Sequence, residues 1–175
     1  MDAGDRFDLG PMPARTRMRT LDQRHVRVSV AAMFELAADV ERWPTHLAHY
    51  RFVRFRERSG RGGIVEMSAN RPFGPVQWPT WWVSLMQVIE GPAPRIRFRH
   101  IEGITARMDV EWRFRVAAGG TLVEIEHLWN GPAWPLVGAI AAVGVIGPLF
   151  VHGIASRTRA GLARGSEQSR PSGRA

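Results

Sequence analysis

Three side chains that can move protons or hold oxygen atoms fall on otherwise apolar strand faces: Ser84, His100 and His127. Each lies in a segment where apolar and polar residues alternate, which is the period of a half-buried β-strand. A histidine titrates close to neutral pH, so an imidazole that faces a cavity can transfer a proton or polarise a carbonyl group. The alternative is a core histidine that is hydrogen-bonded to the backbone or to water. Of the two histidines, His127 is the better candidate for chemistry, because His100 lies near a strand end and could reach solvent instead.

The elements that must position these residues are predicted from periodicity and turn residues. A strand is expected from His25, followed by a helix over Ala31–Val40 that ends near Pro44 and a short helix over Thr45–Tyr50. Six strands are then predicted, and a long apolar helix from Pro135 to about Arg164 closes the chain. The six strands are Arg51–Arg58, Gly63–Arg71, Val76–Glu90, Arg95–Glu102, Ala106–Ala117 and Thr121–Trp129. The predicted fold class is therefore α+β, with a seven-stranded antiparallel sheet that has one dry and one wet face.

The wet face accounts for much of the charge. The chain has 24 basic and 16 acidic residues and a net charge of +8. Arginines at positions 54, 56 and 58 share one side of a strand, and neighbouring strands carry acids in the same phase, so we expect cross-strand ion pairs on a solvated face. This interleaving disfavours nucleic acid as a partner, because a nucleic-acid site concentrates unpaired basic residues.

Motifs for other chemistries are absent. The sequence has no cysteine, which excludes disulfides and thiolate chemistry. It has no nucleophile elbow, zinc-protease helix or phosphate-binding loop, so no metal and no cofactor is expected. The first residues lack the apolar segment of a secretory signal, and a cytoplasmic location is therefore the expectation.

The chain is expected to form one domain, residues 21–164, between a flexible arm at 1–20 and a flexible tail at 165–175. Within the predicted last helix, the 20 residues Leu136–Ala155 carry no formal charge. That length could span a bilayer, but its glycines and its position over the dry face favour a buried helix. Membrane contact through this segment is kept as the lesser alternative.

The stretch QWPTWWVSLMQ, residues 77–87, divides between the two faces of its strand. Strand phase places Trp82 with Ser84 and Met86 on the dry face. Trp81 points the other way, in a row with Val83 and Leu85. Since this outward row is too apolar for a free surface, it predicts a partner or an arm of the chain lying over it.

The order of elements and four local sequences resemble one known family. The sequences are DVERWPTHLAHY, WVS in the long strand, GITARMDVEWRFR and AAGGT at the last hairpin. Together they resemble the START-like helix-grip superfamily over about residues 24–162, and specifically its polyketide cyclase/dehydrase branch of aromatase/cyclases. The resemblance implies a curved sheet wrapped around the C-terminal helix, with a deep ligand cavity between them.

The resemblance also implies site residues. Trp43 and Tyr50 match cavity-lining aromatics of the family. Four further residues match positions that line the same cavity: Trp82, Ser84, Met108 and Trp112. Two residues after the matching serine the family enzymes carry an arginine that binds a polyketide carbonyl, whereas this chain has Met86, which cannot donate a charged hydrogen bond. The expected catalytic residues are His127, Ser84 and Tyr50. The expected ligand-binding residues are Trp43, Trp82, Met86, Phe98, His100, Met108, Trp112 and Trp129.

Three functions follow from this. The first is an aromatase/cyclase that folds a poly-β-keto chain. In it His127 carries the proton, and Ser84 and Tyr50 hold carbonyl oxygens. The second is a non-catalytic binder of a lipid, quinone or finished polyketide, which Met86 favours. The third is a membrane-associated accessory protein. The expected partner is a hydrophobic small molecule, presented by an acyl carrier protein in the first case, and a homodimer is left open.

Overall fold

The computed structural model describes residues 7–73 and 76–130. For residues 71–73 and 76–78 it describes the backbone only. Strand β1 is followed by helix α1, a 3₁₀ turn, the short helix α2 and six further strands. Their bounds are β1 Met18–Val26, α1 Val30–Ala38, the 3₁₀ turn Val40–Arg42, α2 Trp43–His46, β2 Tyr50–Ser59, β3 Gly62–Phe73, β4 Val76–Ile89, β5 Arg95–Gly103, β6 Asp109–Ala117 and β7 Gly120–Trp129.

The strands form one antiparallel sheet in the order β1-β7-β6-β5-β4-β3-β2. Strands β2 to β7 are a meander in which each strand pairs with the next along the chain, and β1 pairs with β7 at the far end. The predicted seven-stranded antiparallel sheet with two short helices after its first strand is confirmed. The predicted long C-terminal helix, Pro135 to Arg164, lies outside the described residues.

Strand β1 begins earlier than its sequence period indicates. It runs from Met18 to Val26 rather than from His25, and its register with β7 joins Met18 to Trp129 and Val26 to Thr121. Polar residues on its inward face, Asp22 among them, hid the alternation. The strand ends at Val26 because Ser29 caps α1, its hydroxyl accepting a hydrogen bond from the Ala32 N–H at 3.2 Å. The domain bounds at residues 20 and 165 stay a prediction.

Pro44 begins a helix instead of ending one. Helix α1 stops at Ala38, and Pro44 occupies the first turn of α2, where its missing N–H breaks no helical hydrogen bond. The N–H of Leu47 closes α2 by donating to the Trp43 carbonyl at 2.7 Å. As a result α2 covers Trp43–His46, earlier than the predicted Thr45–Tyr50, and places Trp43 over the sheet.

The inward face of the sheet and the buried sides of the helices make one hydrophobic core. Helix α1 contributes Met33, Phe34, Ala37 and Ala38, and α2 contributes Trp43. From the six meander strands the core takes Tyr50, Val53, Val65, Met67, Ala69, Trp82, Met86, Ile96, Phe98, Val110, Trp112, Phe114, Val123, Ile125 and Trp129. The expected dry face is therefore present and is strongly aromatic.

The outward face is ionic but, unlike the solvated face predicted, its acids are buried. Five carboxylates on it are each between 4% and 6% exposed: Glu66, Asp109, Glu111, Glu124 and Glu126. Each is paired with arginine, for example Asp109 with Arg99 at 2.9 Å and Glu124 with Arg115 at 3.0 Å. The arginine stems lie over the acids, because a long side chain can cover a surface while keeping its charged end in water.

A β-bulge removes one arginine from this outward row. The register of β2 against β3 shifts between Phe55 and Glu57, and a bulge changes the face to which later side chains point. Arg54 and Arg56 both reach Glu66, at 2.9 and 3.2 Å. Arg58 was predicted to share their side, but it points away from them and pairs with Glu41 of the 3₁₀ turn at 2.5 Å.

Residues 7–10 lie against the outward face. The Gln87 side-chain amide donates to Asp8 at 3.1 Å, and the Arg97 guanidinium donates to the Gly10 carbonyl. Phe7 and Leu9 are buried, with 9% and 4% of their surface exposed. This contact agrees with the arm expected over the apolar outward row of β4, although Trp81 at the end of that row stays exposed. No helix within the described residues is long and apolar enough to cross a membrane.

Glu66 should make stability depend on pH. Burial favours its neutral form, but hydrogen bonds from Arg54 and Arg56 outweigh this and hold the pKa of Glu66 below its ordinary value. A carboxyl whose folded pKa is lowered stabilises the fold above its unfolded pKa, and this contribution disappears as pH falls through the folded pKa. We expect Glu66→Gln to lower the free energy of unfolding at pH 7 and to have little effect near pH 3. Urea titrations at both pH values measure this, and an equal loss at both would contradict it.

Candidate functional site

A cavity opens on the inward face of the sheet beside α2. Aromatic and aliphatic side chains dominate its wall, and the polar groups among them are threonines, one tyrosine and two histidines. The described lining residues are Trp43, Tyr50, Met67, Thr80, Trp82, Phe98, His100, Ile104, Thr105, Met108, Val110, Trp112, Ile125 and His127. Neither a carboxylate nor an arginine is among these described residues, so the wall that they form is apolar, with hydrogen-bonding groups from threonine, tyrosine and histidine.

Five rings form a continuous aromatic wall along this cavity. Trp43 stacks on Trp112, with centroids 5.4 Å apart, and meets Tyr50 edge-on at 5.3 Å. Tyr50 is 6.1 Å from Trp82, which in turn stacks on His100 at 5.8 Å. Such pairs add about 0.5–1.5 kcal/mol beyond area burial and leave the rings few alternative positions. The wall is therefore a rigid surface on which a flat molecule can lie.

Trp43 is fixed by the turns that precede it. Its indole N–H donates to the Ala37 carbonyl at the end of α1, at 3.1 Å, and the side chain is 2% exposed. This bond satisfies the only polar atom of the ring, so that the rest can be buried without cost. Trp43 thus joins α1, α2 and the sheet, and sets how far the helices stand from the cavity floor.

His127 lies on β7 within the cavity wall. It is 5% exposed, and in the register of β1 with β7 it lies opposite Thr20. Its Nδ1 is 3.4 Å from the Thr20 hydroxyl, a long and therefore weak hydrogen bond. This contact holds one ring nitrogen towards β1, while the side chain also lines the cavity.

His100 is tied into the loop between β5 and β6. Its Nδ1 lies 2.7 Å from the Thr105 hydroxyl, its backbone N–H donates to Met108, and its carbonyl accepts from the Arg107 N–H. Arg107 has a φ of 68°, a left-handed conformation that such a closely bonded turn imposes. His100 is 9% exposed and lines the cavity, so the expectation that it reaches solvent at the strand end is wrong.

The two histidines occupy separate positions on the same wall. Phe98, Val110 and His127 lie side by side on β5, β6 and β7, while His100 is two residues further along β5 than Phe98. From strand spacing and rise, the Cα atoms of His100 and His127 are about 12 Å apart. A molecule one or two rings wide that lies between them could contact both imidazoles.

Eight of the eleven residues predicted for the site line the cavity, and three do not. The eight are Trp43, Tyr50, Trp82, Phe98, His100, Met108, Trp112 and His127. Ser84 and Met86 are both fully buried on the same face of β4, and Trp129 is fully buried on β7 with its indole N–H donating to Ala106 at 3.3 Å. These three lie in the core beneath or beside the cavity wall.

The Ser84 hydroxyl makes no hydrogen bond to any described residue, although the side chain is 0% exposed. On the neighbouring strands it lies opposite Val65 and His100. A buried hydroxyl without a partner costs about 1–3 kcal/mol. Such a group is either a defect in packing or a hydrogen-bonding position that a water or ligand fills.

The cavity also has lining residues that the sequence did not identify as site residues. Alternation alone places Val110 and Ile125 on the dry face, and nothing local distinguishes a cavity wall from solid core. Ile104 and Thr105 lie in a loop, which has no period, and only the fold brings them to the cavity. Among the described residues no cluster of histidine and acidic side chains could hold a metal ion.

Two buried serines on neighbouring strands give a test of the unpaired hydroxyl. Ser68 donates to the Thr80 carbonyl at 2.9 Å, so we expect Ser68→Ala to reduce the free energy of unfolding by about 1 kcal/mol. Ser84→Ala removes a hydroxyl that lacks a partner, and should leave stability within about 0.5 kcal/mol of the unsubstituted protein or raise it. Urea unfolding followed by tryptophan fluorescence measures both. A clear loss of unfolding free energy in Ser84→Ala would show that the Ser84 hydroxyl already stabilises the protein without a ligand.

Comparison with known proteins identifies the architecture. The family model described as polyketide cyclase/dehydrase and lipid transport matches residues 26–146. The protein TTHA0849 from Thermus thermophilus is similar in structure, with a TM-score of 0.72 at 17% identity over 88% of this chain and 100% of the other. The Zhui aromatase/cyclase from Streptomyces gives 0.66 at 15% identity, over 90% and 99% of the two chains.

A third structure, a START superfamily protein from Mycobacterium smegmatis, has a TM-score of 0.64 at 12% identity over 87% of this chain and 99% of its own. At these identities the structural likeness establishes the fold and no more. No curated protein sequence matches this chain.

Proposed function

Because the chain belongs to the polyketide cyclase/dehydrase and lipid transport family, we propose that its cavity binds a poly-β-keto or aromatic polyketide intermediate and promotes its cyclisation and dehydration. The observation that carries this proposal is the cavity wall itself, in which five rings in contact, His100 among them, stand with His127 and no carboxylate is among the described lining residues. Such a wall suits a flat, partly unsaturated molecule whose polar atoms are carbonyl oxygens.

The main contribution of the cavity is orientation. A poly-β-keto chain has many carbon atoms that can attack many carbonyl groups, and only a fixed fold selects one pair. Holding two reacting groups in contact can supply about 7–11 kcal/mol of a barrier, so a rigid apolar wall can direct ring formation without a strong acid or base. The bracing of Trp43 by the Ala37 carbonyl and by three neighbouring rings gives the required rigidity.

His127 is the proposed proton carrier. Its neutral imidazole removes a proton from a CH₂ group between two carbonyls, and the resulting enolate carbon forms a bond to a second carbonyl carbon. The imidazolium returns the proton to the new alkoxide, and a second proton transfer lets that hydroxyl leave as water while a C=C bond forms. Tyr50 is proposed to hold a carbonyl oxygen through its phenol, since it lines the same cavity.

Ser84 is proposed to fill its missing hydrogen bond with the ligand. Its hydroxyl lies under the wall beside His100, and it gains a partner if a carbonyl oxygen reaches the sheet between Trp82 and His100. The binding role of Met86 is then limited to packing, because its side chain is fully buried and does not line the cavity. With Met86 where related enzymes carry an arginine, any charge that develops on an oxygen must be stabilised by neutral groups.

The lack of a charged group favours a second candidate, a non-catalytic carrier of a lipid, quinone or other apolar molecule. No arginine or carboxylate is among the described lining residues, so the cavity can take a ligand that has no ionised group. The two candidates differ in what purified protein contains. If the protein is a carrier, native mass spectrometry of the full chain finds a stoichiometric apolar molecule bound to it. If it is a cyclase, the purified protein contains no such molecule and changes the products of a polyketide synthase.

The histidine role can be tested with a matched control. In cells that make an unreduced poly-β-keto chain on an acyl carrier protein, we expect His127→Ala to lower the yield of the directed cyclic product by about tenfold or more, in the range general acid–base catalysis supplies. His25→Ala changes an exposed histidine on the outward face and should leave the yield unchanged. Product profiles by liquid chromatography and mass spectrometry give the readout. If both variants match the unsubstituted protein, His127 is not the proton carrier.

A further inference from the structure

Large apolar side chains are exposed at one place in the sheet more than at any other. Among the side chains that the structure describes, in residues 7–70 and 79–130, five such side chains are exposed, and three of them occur near the end of β5 and the neighbouring part of β4. They are Trp81 at 41%, Ile101 at 41% and Ile104 at 38%, while the two remaining ones, Leu21 and Val116, lie on β1 and at the end of β6. We call the first three the mouth patch.

The register shows that the mouth patch is continuous. Trp82 pairs with Gly103, and Trp81 and Ile104 are the next residues beyond that pair, on β4 and just after β5. A Cβ on Gly103 would overlap the backbone of Trp81 and Trp82, which shows how closely the two strands approach. Ile101 is the extra residue of a β-bulge one step away, between Val83 and Ser84 of the partner strand. Ile104 also lines the cavity, so the mouth patch adjoins the cavity wall through this residue.

Trp81 is held in its exposed position. The Arg56 guanidinium lies 5.9 Å from the centre of its ring and is itself bound to Glu66 at 3.2 Å and to Glu102 at 3.0 Å. The same guanidinium pairs with Glu102, the acidic residue nearest to the mouth patch along β5. An apolar group braced outward in this way favours a contact with another apolar phase.

The mouth patch stands at the base of a two-stranded ribbon. Strand β2 pairs with β3 only as far as Ala69, and β5 pairs with β4 only from Trp82 onwards. The backbones of residues 71–73 and 76–78 therefore pair with each other beyond the part of the sheet where β2 and β5 are joined to them. From residue 67 to residue 89 the sequence holds no acid and one charge, Arg71.

Two arginines beside the mouth patch have no acidic partner. Arg51 is exposed and bonds to Ser68, the residue opposite Trp81 on β3. Arg107 is exposed in the loop that carries Ile104, and neither guanidinium makes an ion pair with a described residue. Most arginines of the outward face are paired, so these two leave positive charge at the rim of the apolar surface.

We propose that the mouth patch docks this protein on an anionic lipid bilayer, with the cavity opening towards the membrane. Tryptophan and aliphatic side chains enter the boundary between headgroups and acyl chains, and arginines at the same level bind lipid phosphates. An acidic partner helix would need a groove for its apolar face, whereas Trp81 and Ile101 line none of the three cavities described among these residues. An apolar ligand then passes between bilayer and cavity without crossing water, whether the cavity converts the ligand or only carries it.

Vesicle binding by the full chain tests this surface. The probe is a vesicle of phosphatidylcholine with phosphatidylglycerol, compared with phosphatidylcholine alone, and the readout is the protein fraction that floats with lipid. The triple variant Trp81→Ser, Ile101→Ser, Ile104→Ser should bind anionic vesicles about tenfold more weakly, because membrane affinity scales with the apolar area that inserts. The control Leu21→Ser, Val116→Ser removes exposed apolar groups elsewhere and should bind as the unsubstituted protein does.

A second pair of variants isolates the charge. Arg51→Gln with Arg107→Asn should weaken binding to anionic vesicles and leave the low affinity for neutral vesicles unchanged, and asparagine tolerates the left-handed backbone at residue 107. Arg15→Gln with Arg24→Gln removes two exposed, unpaired arginines away from the mouth patch and is the matched control. Circular dichroism confirms that each variant is folded.

Three results would overturn the proposal. The first is that the unsubstituted protein does not float with anionic vesicles. The second is that the triple variant floats as well as the unsubstituted protein, which would place membrane contact elsewhere in the chain. The third is that the triple variant and its control lose binding equally. Capture of an acidic carrier protein by the mouth patch, without vesicle binding, would assign this surface to a protein partner instead. None of these outcomes depends on cyclase activity, so the proposed function is tested separately.

Discussion

The burial of Trp43 against the inward face of the sheet is the interaction on which the cavity depends. Its indole meets Tyr50, Phe98 and Trp112 within 6.0 Å, and its N–H is bound to the carbonyl of Ala37. Without this ring, α2 would have nothing to hold it over the sheet, and the aromatic wall would be divided at its centre. The 3₁₀ turn and Pro44 matter because they deliver the ring to that position.

The two faces of the sheet are stabilised by different interactions, and the outward face stabilises the sheet although the inward face contains a cavity. On the outward face, buried carboxylates alternate with arginines across four strands, and Arg113 alone contacts Glu111, Glu124 and Glu126. Removing one partner from such a network leaves a buried charge uncompensated, which is strongly unfavourable. The network therefore fixes strand register from outside, so that the inward face does not need complete packing to specify the fold.

The cavity combines groups that hold a ligand with few groups that could transform it. His127 and His100 are the titratable side chains with the clearest chemical roles, and each has one ring nitrogen committed to a threonine hydroxyl. Met86 is fully buried in the core and cannot donate a hydrogen bond. A site of this kind depends on shape and orientation more than on charge, which is consistent with both a cyclase that folds its substrate and a carrier of an apolar molecule.

The sequence by itself determined the run of strands and their dry and wet faces, because a period of two assigns each side chain to a face. These faces and the family resemblance together led to eight of the described cavity residues. The sequence also placed Trp82 and Trp81 on opposite sides of β4, as the structure does. The tertiary structure decided what no period carries. Bulges moved Arg58 off the outward face, a loop brought Thr105 to His100, and arginine stems and the arm at residues 7–10 buried acids that alternation had placed in water. These outcomes depend on contacts between residues far apart in the chain, and local sequence contains no record of them.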